Sequence, residues 1–179
     1  MKGGILSGQL HRQLHFVLLI AIAVTLPFFV NINSYLIVLL GLNWVLSGDW
    51  GQKWKLLKHR PLIWLFIAFF VLHAISLLYS DAAGGAILER RLALAVFPLI
   101  IGTTPLGIGE VKSILRWFAG AVVVASLAAV GVAGYLFITE GVAKFFYHDL
   151  TSVLGISAVY MACYTLFAIL IVLDFTFQK

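Results

Sequence analysis

Six apolar runs follow one another along this chain, separated by short polar, charged or glycine- and proline-rich stretches. A transmembrane helix needs about 20 apolar residues to cross the ~30 Å hydrocarbon core of a bilayer. The third run opens at Pro61, a first helical position at which the missing N–H costs nothing. We therefore predict an all-α polytopic bundle that forms a single transmembrane domain over 1–179, with spans at about 10–30, 34–47, 61–79, 86–101, 114–138 and 153–177.

The first two runs are the ambiguous part of this pattern. Residues 16–30 and 35–47 are short and are separated by the polar stretch 31–34, so they form either two spans joined by a tight turn or one interrupted span. Basic residues precede the first run and follow the second, and loops rich in Lys and Arg stay on the cytoplasmic side. Two spans place both basic segments in the cytoplasm, so we predict two. The first run lacks a clear small-residue cleavage site before Pro27, which favours an uncleaved helix over a signal peptide.

Composition supports a lipid environment for these helices. Hydrophobic residues make up 63% of the chain and charged residues only 11%, with a mean hydropathy of +1.08. A chain of this kind has too little polar surface for a water-soluble globule. Cys163 lies inside an apolar run. Because it is the single cysteine of the sequence, no intramolecular disulfide can form.

The distribution of charge sets the predicted orientation. Of the 12 Lys and Arg residues, the six-span topology places Arg90, Arg91 and Lys144 outside and all the others inside. This predicts a multi-pass membrane protein with both termini in the cytoplasm. The net charge of +5 then follows from topology and from attraction to the anionic inner leaflet, so we expect no nucleic-acid partner. The tryptophans lie near the inner ends of the spans, where we expect them to be interfacial anchors.

Ionisable residues at the start of the fourth span form the first candidate site. Glu89, Arg90 and Arg91 begin an apolar helix, where adjacent side chains point about 100° apart, so one arginine can face the bundle while the other reaches the outer headgroups. One interpretation is an interfacial anchor. The other is an outer-leaflet phosphate site, because guanidinium groups match phosphate geometry and stay charged.

The second candidate site is the last outer loop and the helix that follows it. His148 beside Asp149 suggests acid/base chemistry, although such a pair in a loop is more often solvated surface. Tyr160 and Tyr164 lie four residues apart and share a helix face. His73 lies in the middle of the third span, where we expect a neutral imidazole bonded to a neighbouring helix, with a proton relay as the alternative.

Familiar enzyme motifs are absent from the sequence. It contains no Walker loop, dinucleotide fingerprint, HExxH, CxxC or GxSxG pattern. Internal inverted repeats, which are typical of many transporters, are not evident either. The residue patterns alone therefore select no reaction.

Four short stretches nevertheless resemble a known family. They are LNWVLSGD at 42–49, LHAISLLYS at 72–80, ERRLAL with FPL at 89–99, and YHDL at 147–150 with Tyr160. Together they are similar to the amino-terminal half of the O-antigen ligase and polymerase family, and the resemblance extends over nearly the whole chain. The motifs are degenerate and largely hydrophobic.

The resemblance implies an inner-membrane glycosyltransferase of lipopolysaccharide biosynthesis. Such proteins move a glycan from an undecaprenyl pyrophosphate carrier to the lipid A core or to a growing glycan chain at the periplasmic face, without a metal, cofactor or nucleotide sugar. By resemblance, Arg90 and Arg91 contact the pyrophosphate of the carrier, where they stabilise the charge that develops on the leaving group. We add His148 and Tyr160 as further substrate-binding candidates.

The chain also departs from that family. Its members are about twice this length, and their large outer loop, with an essential histidine and arginine, lies in the second half. We therefore expect this chain to be the amino-terminal part of a longer protein that is inactive alone, and we predict no catalytic residue in it. The alternative is a non-catalytic membrane protein, either a small transporter or an assembly partner.

Overall fold

The computed structural model describes residues 5–28, 30–76, 79, 84–141, 143–152 and 154–177. Within these ranges the chain is all-helical, with 86% of residues in helices and no strand. The helices are α1 (Ile5–Thr25), α2 (Val30–Leu46), α3 (Trp50–Lys58), α4 (Pro61–Ser76), α5 (Gly84–Thr103), α6 (Ile108–Glu140), α7 (Tyr147–Ser152) and α8 (Ala158–Phe177).

A helix occupies each of the six stretches predicted to span the membrane. These are α1, α2, α4, α5, α6 and α8, whereas α3 and α7 lie in segments that we expected to be loops. By length and composition, α6 and α8 are each able to cross a bilayer, and α3 with α4 adds a third candidate if that bent pair counts as one span. The all-α fold class is thus confirmed, and the number of spans stays a prediction.

The connection between α2 and α3 is a tight turn in left-handed backbone conformation. Gly48 has φ 69° and Asp49 has φ 52°. Glycine adopts this region freely and aspartate is one of the few other residues that tolerate it. The turn allows α3 to fold back toward the end of α2. At its other end, α3 meets α4 at an angle of 90°, with Pro61 as the first residue of α4.

Contacts divide the chain into two compact units. Unit 1 comprises Met1–His11 and Gly41–Gly107, and unit 2 comprises Arg12–Leu40 and Ile108–Lys179. In unit 1, α4 packs along α5, and α3 packs against both. The prediction of a single domain is not tested by this division.

Unit 2 is built on the packing of α6 against α8, with α7 in contact with both. Its core is rich in small side chains, because helices in lipid associate through close packing rather than through hydrophobic burial. The buried members of this core are Ala23, Phe118, Ala119, Val122, Ala125, Met161, Ala168 and Ile171. Arg12 and Glu110 form an ion pair at 3.1 Å between the starts of α1 and α6.

Large apolar side chains cover the outer faces of the helices. Leu65 and Leu72 on α4, Leu127 on α6 and Leu166 on α8 are 61–68% exposed. Exposed apolar surface on this scale marks a surface that contacts something other than water. These helices indicate a lipid bilayer environment.

Candidate functional site

A groove between α6 and α8, closed at one end by α7, is the candidate site of unit 2. Its volume is about 510 Å³, which is within the range of small-molecule sites. Most of its lining is apolar and several members are small. The lining residues are Ser126, Ala129, Val130, Leu150, Thr151, Ala158, Met161, Ala162, Thr165, Leu166 and Ile169.

The few polar side chains in this groove are already satisfied by the backbone. The hydroxyl of Ser126 donates to the Val122 carbonyl at 2.9 Å, and that of Thr165 donates to the Met161 carbonyl at 2.8 Å. Thr151, which is buried, donates to the His148 carbonyl at 3.4 Å. An occupant of the groove therefore meets methyl and methylene groups, which suit a hydrocarbon chain.

Helix α7 places one predicted site residue beside the end of this groove. Leu150 and Thr151 line the groove, and His148 precedes them on the same helix. Because a helix rises 1.5 Å per residue, His148 lies within about one turn of the lining. His148 and Asp149 are both exposed. Polar groups thus lie next to the end of an otherwise apolar groove.

The remaining predicted site residues lie in different parts of the chain. Tyr160 is 63% exposed in the first turn of α8, between groove residues Ala158 and Met161. Tyr164 packs edge-to-face on Phe118, with ring centroids 6.0 Å apart. Tyr160 and Tyr164 therefore have different surroundings, even though they are four residues apart.

The two arginines that carry the family resemblance belong to unit 1. Arg90 and Arg91 lie in the first half of α5. Their side chains, and those of Glu89 and Tyr147, lie outside the described residues. Their predicted contact with a pyrophosphate group stays a prediction.

A buried lysine in unit 1 is the feature that sequence reasoning missed. Lys53 on α3 is only 8% exposed, and its Nζ donates to the Trp44 carbonyl and to the Ser47 hydroxyl, the latter at 2.9 Å. The ammonium lies 4.5 Å from the ring centroid of Trp44 and 4.8 Å from that of Trp50. Burial lowers the pKa of Lys53, and the nearby carboxylate of Asp49 partly opposes that shift.

We call Trp44, Ser47, Trp50 and Lys53 the lysine cluster. Its two indoles meet edge-to-face with centroids 5.2 Å apart, and Trp44 Nε1 donates to the Thr103 hydroxyl at 2.9 Å. The cluster therefore joins the end of α2 to α3 and to the end of α5. Its residues recur at every third position, and that spacing is the one sequence signal that could have revealed it. Trp44 and Trp50 bind a cation here, beyond the anchoring role that we expected.

Two histidines of unit 1 are engaged in structural hydrogen bonds. His11 Nδ1 and the Asn43 side-chain oxygen are 2.7 Å apart, and the Asn43 amide donates to the His11 carbonyl at 3.0 Å, which joins α1 to α2. His73 Nδ1 lies 2.8 Å from the carbonyl of Phe69 on its own helix, rather than on the neighbouring helix that we expected. Among the described side chains, no group of three or more His, Cys, Asp or Glu residues could hold a metal ion.

No family model matches the sequence, and neither the curated proteins nor the solved structures contain a match. The resemblance to the O-antigen ligase and polymerase family therefore rests on the four short motifs alone. By contrast, the groove of unit 2 and the lysine cluster are identified from the geometry of this chain alone.

Proposed function

We propose that this chain is a multi-pass inner-membrane protein with six spans and cytoplasmic termini that binds a polyprenyl-linked glycan. The observation that carries the proposal is the groove between α6 and α8, because its lining is apolar and polar residues of α7 lie at its end. A polyprenyl carrier has the same division, with a long hydrocarbon chain and a charged pyrophosphate head.

Contacts within each unit support the six-span topology. In unit 2, the ion pair of Arg12 with Glu110 joins the starts of α1 and α6. The Arg116 guanidinium lies 5.1 Å from the Phe175 ring, which joins the start of α6 to the end of α8. Alternating spans with cytoplasmic termini place all three of these helix ends on the cytoplasmic side.

Unit 1 supports the same topology independently. The His11 and Asn43 bonds join α1 to the second half of α2, and the Trp44 and Thr103 bond joins the ends of α2 and α5. Helix α3 lies at 90° to α4, so a spanning α4 leaves α3 in the plane of the membrane surface. Its exposed tryptophans, Trp50 and Trp54, and its lysines fit an interfacial position.

The finer function follows from the resemblance to the family. Arg90 and Arg91 hold the pyrophosphate of the carrier by that resemblance. In the transfer that the resemblance implies, the bond from the glycan's anomeric carbon to the pyrophosphate oxygen breaks. The hydroxyl oxygen of the acceptor, which is lipid A core or a growing glycan, forms the new bond to that carbon, and its proton passes to the released pyrophosphate or to water. Guanidinium groups at the pyrophosphate then stabilise the negative charge of the leaving group.

The binding of undecaprenyl phosphate to purified protein in nanodiscs tests the groove. Ala162→Leu adds bulk to the lining of the groove, whereas Ala128→Leu adds the same bulk at an exposed position of α6 outside it. We expect Ala162→Leu to weaken binding about tenfold, which corresponds to about 1.4 kcal/mol, and Ala128→Leu to leave it unchanged. Equal affinity in the two variants, or no binding by the unsubstituted chain, would exclude the groove as the binding site of the polyprenyl chain.

The preference for pyrophosphate over monophosphate tests the arginines separately. We expect the unsubstituted chain to bind undecaprenyl pyrophosphate more tightly than undecaprenyl phosphate. Replacing both Arg90 and Arg91 by glutamine removes the guanidinium groups and should abolish that preference. If the double variant keeps the preference, the pyrophosphate contact carried over from the family is wrong for this chain.

A further inference from the structure

A second groove lies within unit 1, between the first half of α4 and the last part of α5. Its volume is about 550 Å³, again within the range of small-molecule sites. Its lining is apolar along most of its length and is formed by Ile63, Phe66, Phe97, Pro98, Ile101 and Gly102, with Pro61 and Leu62 at the start of α4.

One end of this groove is basic. His59 and Arg60 belong to its lining, and both side chains are exposed. They lie in the connection between α3 and α4, where the two helices meet at 90°. The groove therefore runs from a cationic end, near the membrane surface, into an apolar interior between two helices.

The surroundings of that end reinforce its charge. Lys55 and Lys58 on α3 are exposed, and Asp49 is the single acidic residue between positions 49 and 66. The ammonium group of Lys53 is already hydrogen-bonded within the lysine cluster. An anion that approaches the connection between α3 and α4 therefore meets an excess of positive charge, of which only that of Arg60 lines the groove.

Close packing of α4 on α5 gives the groove a fixed wall. Ile63 is 4% exposed, and a Cβ added to Gly102 would lie 2.8 Å from Ile63 Cγ1. Only glycine allows α5 to approach α4 this closely without a shift. The wall beside Gly102 is thus formed by the Ile63 side chain packed directly on the backbone of α5.

We propose that this groove binds one acyl chain of an anionic glycerophospholipid, whose phosphate is held by Arg60 with His59 beside it. A planar guanidinium donates two parallel hydrogen bonds to a phosphate group, and basic residues at the membrane surface attract anionic headgroups. A free phosphate ion would satisfy Arg60 and leave the apolar part of the groove without an occupant. The site depends on membrane embedding but not on glycan transfer.

Native mass spectrometry of the detergent-purified full chain tests this proposal. Phosphatidylglycerol and phosphatidylcholine with identical acyl chains are the probes, since both carry the phosphate but only phosphatidylglycerol has a net negative charge. We expect the unsubstituted chain to retain one phosphatidylglycerol preferentially. Arg60→Gln should reduce that preference about tenfold, because it removes the positive charge that favours an anionic headgroup over a zwitterionic one. Arg60→Lys should keep part of the preference, because lysine retains the positive charge but lacks the planar guanidinium that donates two parallel hydrogen bonds.

Two further variants separate the groove from general surface charge. Lys55→Gln removes the same charge from the neighbouring helix without touching the lining and should leave the preference unchanged. Ile101→Trp adds bulk to the lining and should weaken retention of both lipids. If Ile101→Trp does not fold, Arg60→Gln and Lys55→Gln still decide the matter. Equal losses in Arg60→Gln and Lys55→Gln would overturn the proposal in favour of unspecific attraction.

Competition and an independent readout complete the design. Inorganic phosphate at millimolar concentration should not displace the lipid, and displacement would show a phosphate site instead. Arg60→Gln should bind undecaprenyl phosphate as the unsubstituted chain does, because Arg60 does not line the groove of α6 and α8. Loss of both ligands in this variant would overturn the assignment of a separate lipid site. If the unsubstituted chain binds phosphatidylglycerol but not undecaprenyl phosphate, the lipid site stands and the glycan-carrier function fails.

Discussion

In unit 2 small apolar side chains make the contact of α6 with α8, whereas polar side chains join the helix ends of unit 1. The contact of α6 with α8 is centred on alanines, and the hydroxyls of Ser126 and Thr165 bond within their own helices. In unit 1, hydrogen bonds from Lys53, Trp44 and Asn43 connect different helices. Close packing of small residues and interhelical hydrogen bonds can both stabilise helix association in lipid, where burial of apolar surface contributes little.

The difference predicts which substitutions each unit tolerates. Close packing of small residues fails when a side chain is enlarged, because the backbones must then move apart. Polar connections fail when a donor is removed, because the remaining partner has no water to replace it. The contact of α6 with α8 in unit 2 should therefore be sensitive to an increase in side-chain volume, and the helix ends of unit 1 to the loss of hydrogen-bond donors.

The largest expected effect is that of Ala125→Leu in unit 2. Ala125 is fully buried in the core with Phe118 and Met161, so the larger side chain has no space. We expect a loss of about 2 kcal/mol in the free energy of unfolding, measured by SDS titration in mixed micelles. Ala128→Leu makes the same change on the exposed face of α6 and should cost almost nothing. Equal losses at 125 and 128 would contradict the small-residue core.

Lys53→Met in unit 1 is expected to have the next largest effect. Methionine keeps the length of the side chain and removes the ammonium that binds the Trp44 carbonyl, the Ser47 hydroxyl and two indoles. The loss should be about 1.5 kcal/mol, the lower end for charged hydrogen bonds, because the desolvation cost of the buried charge is relieved. Lys55→Met on the exposed face of α3 is the control. An unchanged free energy of unfolding in Lys53→Met would show that the lysine cluster does not stabilise the fold.

Gly102→Ala tests whether unit 1 also contains a contact that is sensitive to side-chain volume, here between α5 and α4. The added methyl group meets Ile63, which offsets the helix preference of alanine over glycine, so we expect a loss of about 1 kcal/mol in the same titration. In an Ile63→Ala background, which removes both side-chain atoms that the new methyl group meets, Gly102→Ala should no longer cost stability. Gly41→Ala is the matched control, because its Cβ would lie an ordinary 4.0 Å from Ile100 and should stabilise the chain. A loss in Gly41→Ala equal to that in Gly102→Ala would contradict the close approach.

The smallest expected effect is the coupling of Trp44 to Thr103. A double-mutant cycle with Trp44→Phe and Thr103→Val isolates the hydrogen bond between α2 and α5. Interhelical hydrogen bonds in membranes average about 0.6 kcal/mol, and we expect a coupling free energy of that size. Additive losses would show that the two side chains do not interact.

The positions of the helices were the most predictable part of this fold. Apolar runs close to the thickness of a bilayer can satisfy their backbone only as helices, so the predicted stretches coincide with α1, α2, α4, α5, α6 and α8. Helix α3 was missed because its lysines suggested a loop. The apolar and aromatic residues Trp50, Trp54 and Leu57 are spaced three or four apart there, which favours an amphipathic helix.

The contacts that determine the candidate sites were much less predictable. The lysine cluster depends on the left-handed turn at Gly48 and Asp49, which brings Lys53 back to Trp44. The two grooves depend on which helices are neighbours, which the periodicity of a single sequence does not specify. His148 lies close to the end of one groove, while Arg90 and Arg91 remain predictions of the family resemblance.

Accessibility of single cysteines tests the six-span topology most directly. In a Cys163→Ser background, cysteines replace Lys55, Tyr79 and Lys144 one at a time, and a membrane-impermeant maleimide is applied to spheroplasts. The account predicts that Tyr79→Cys and Lys144→Cys are labelled on intact spheroplasts, and that Lys55→Cys is labelled only after the membrane is disrupted. Labelling of Lys55→Cys on intact spheroplasts, or protection of Tyr79→Cys until disruption, would contradict it.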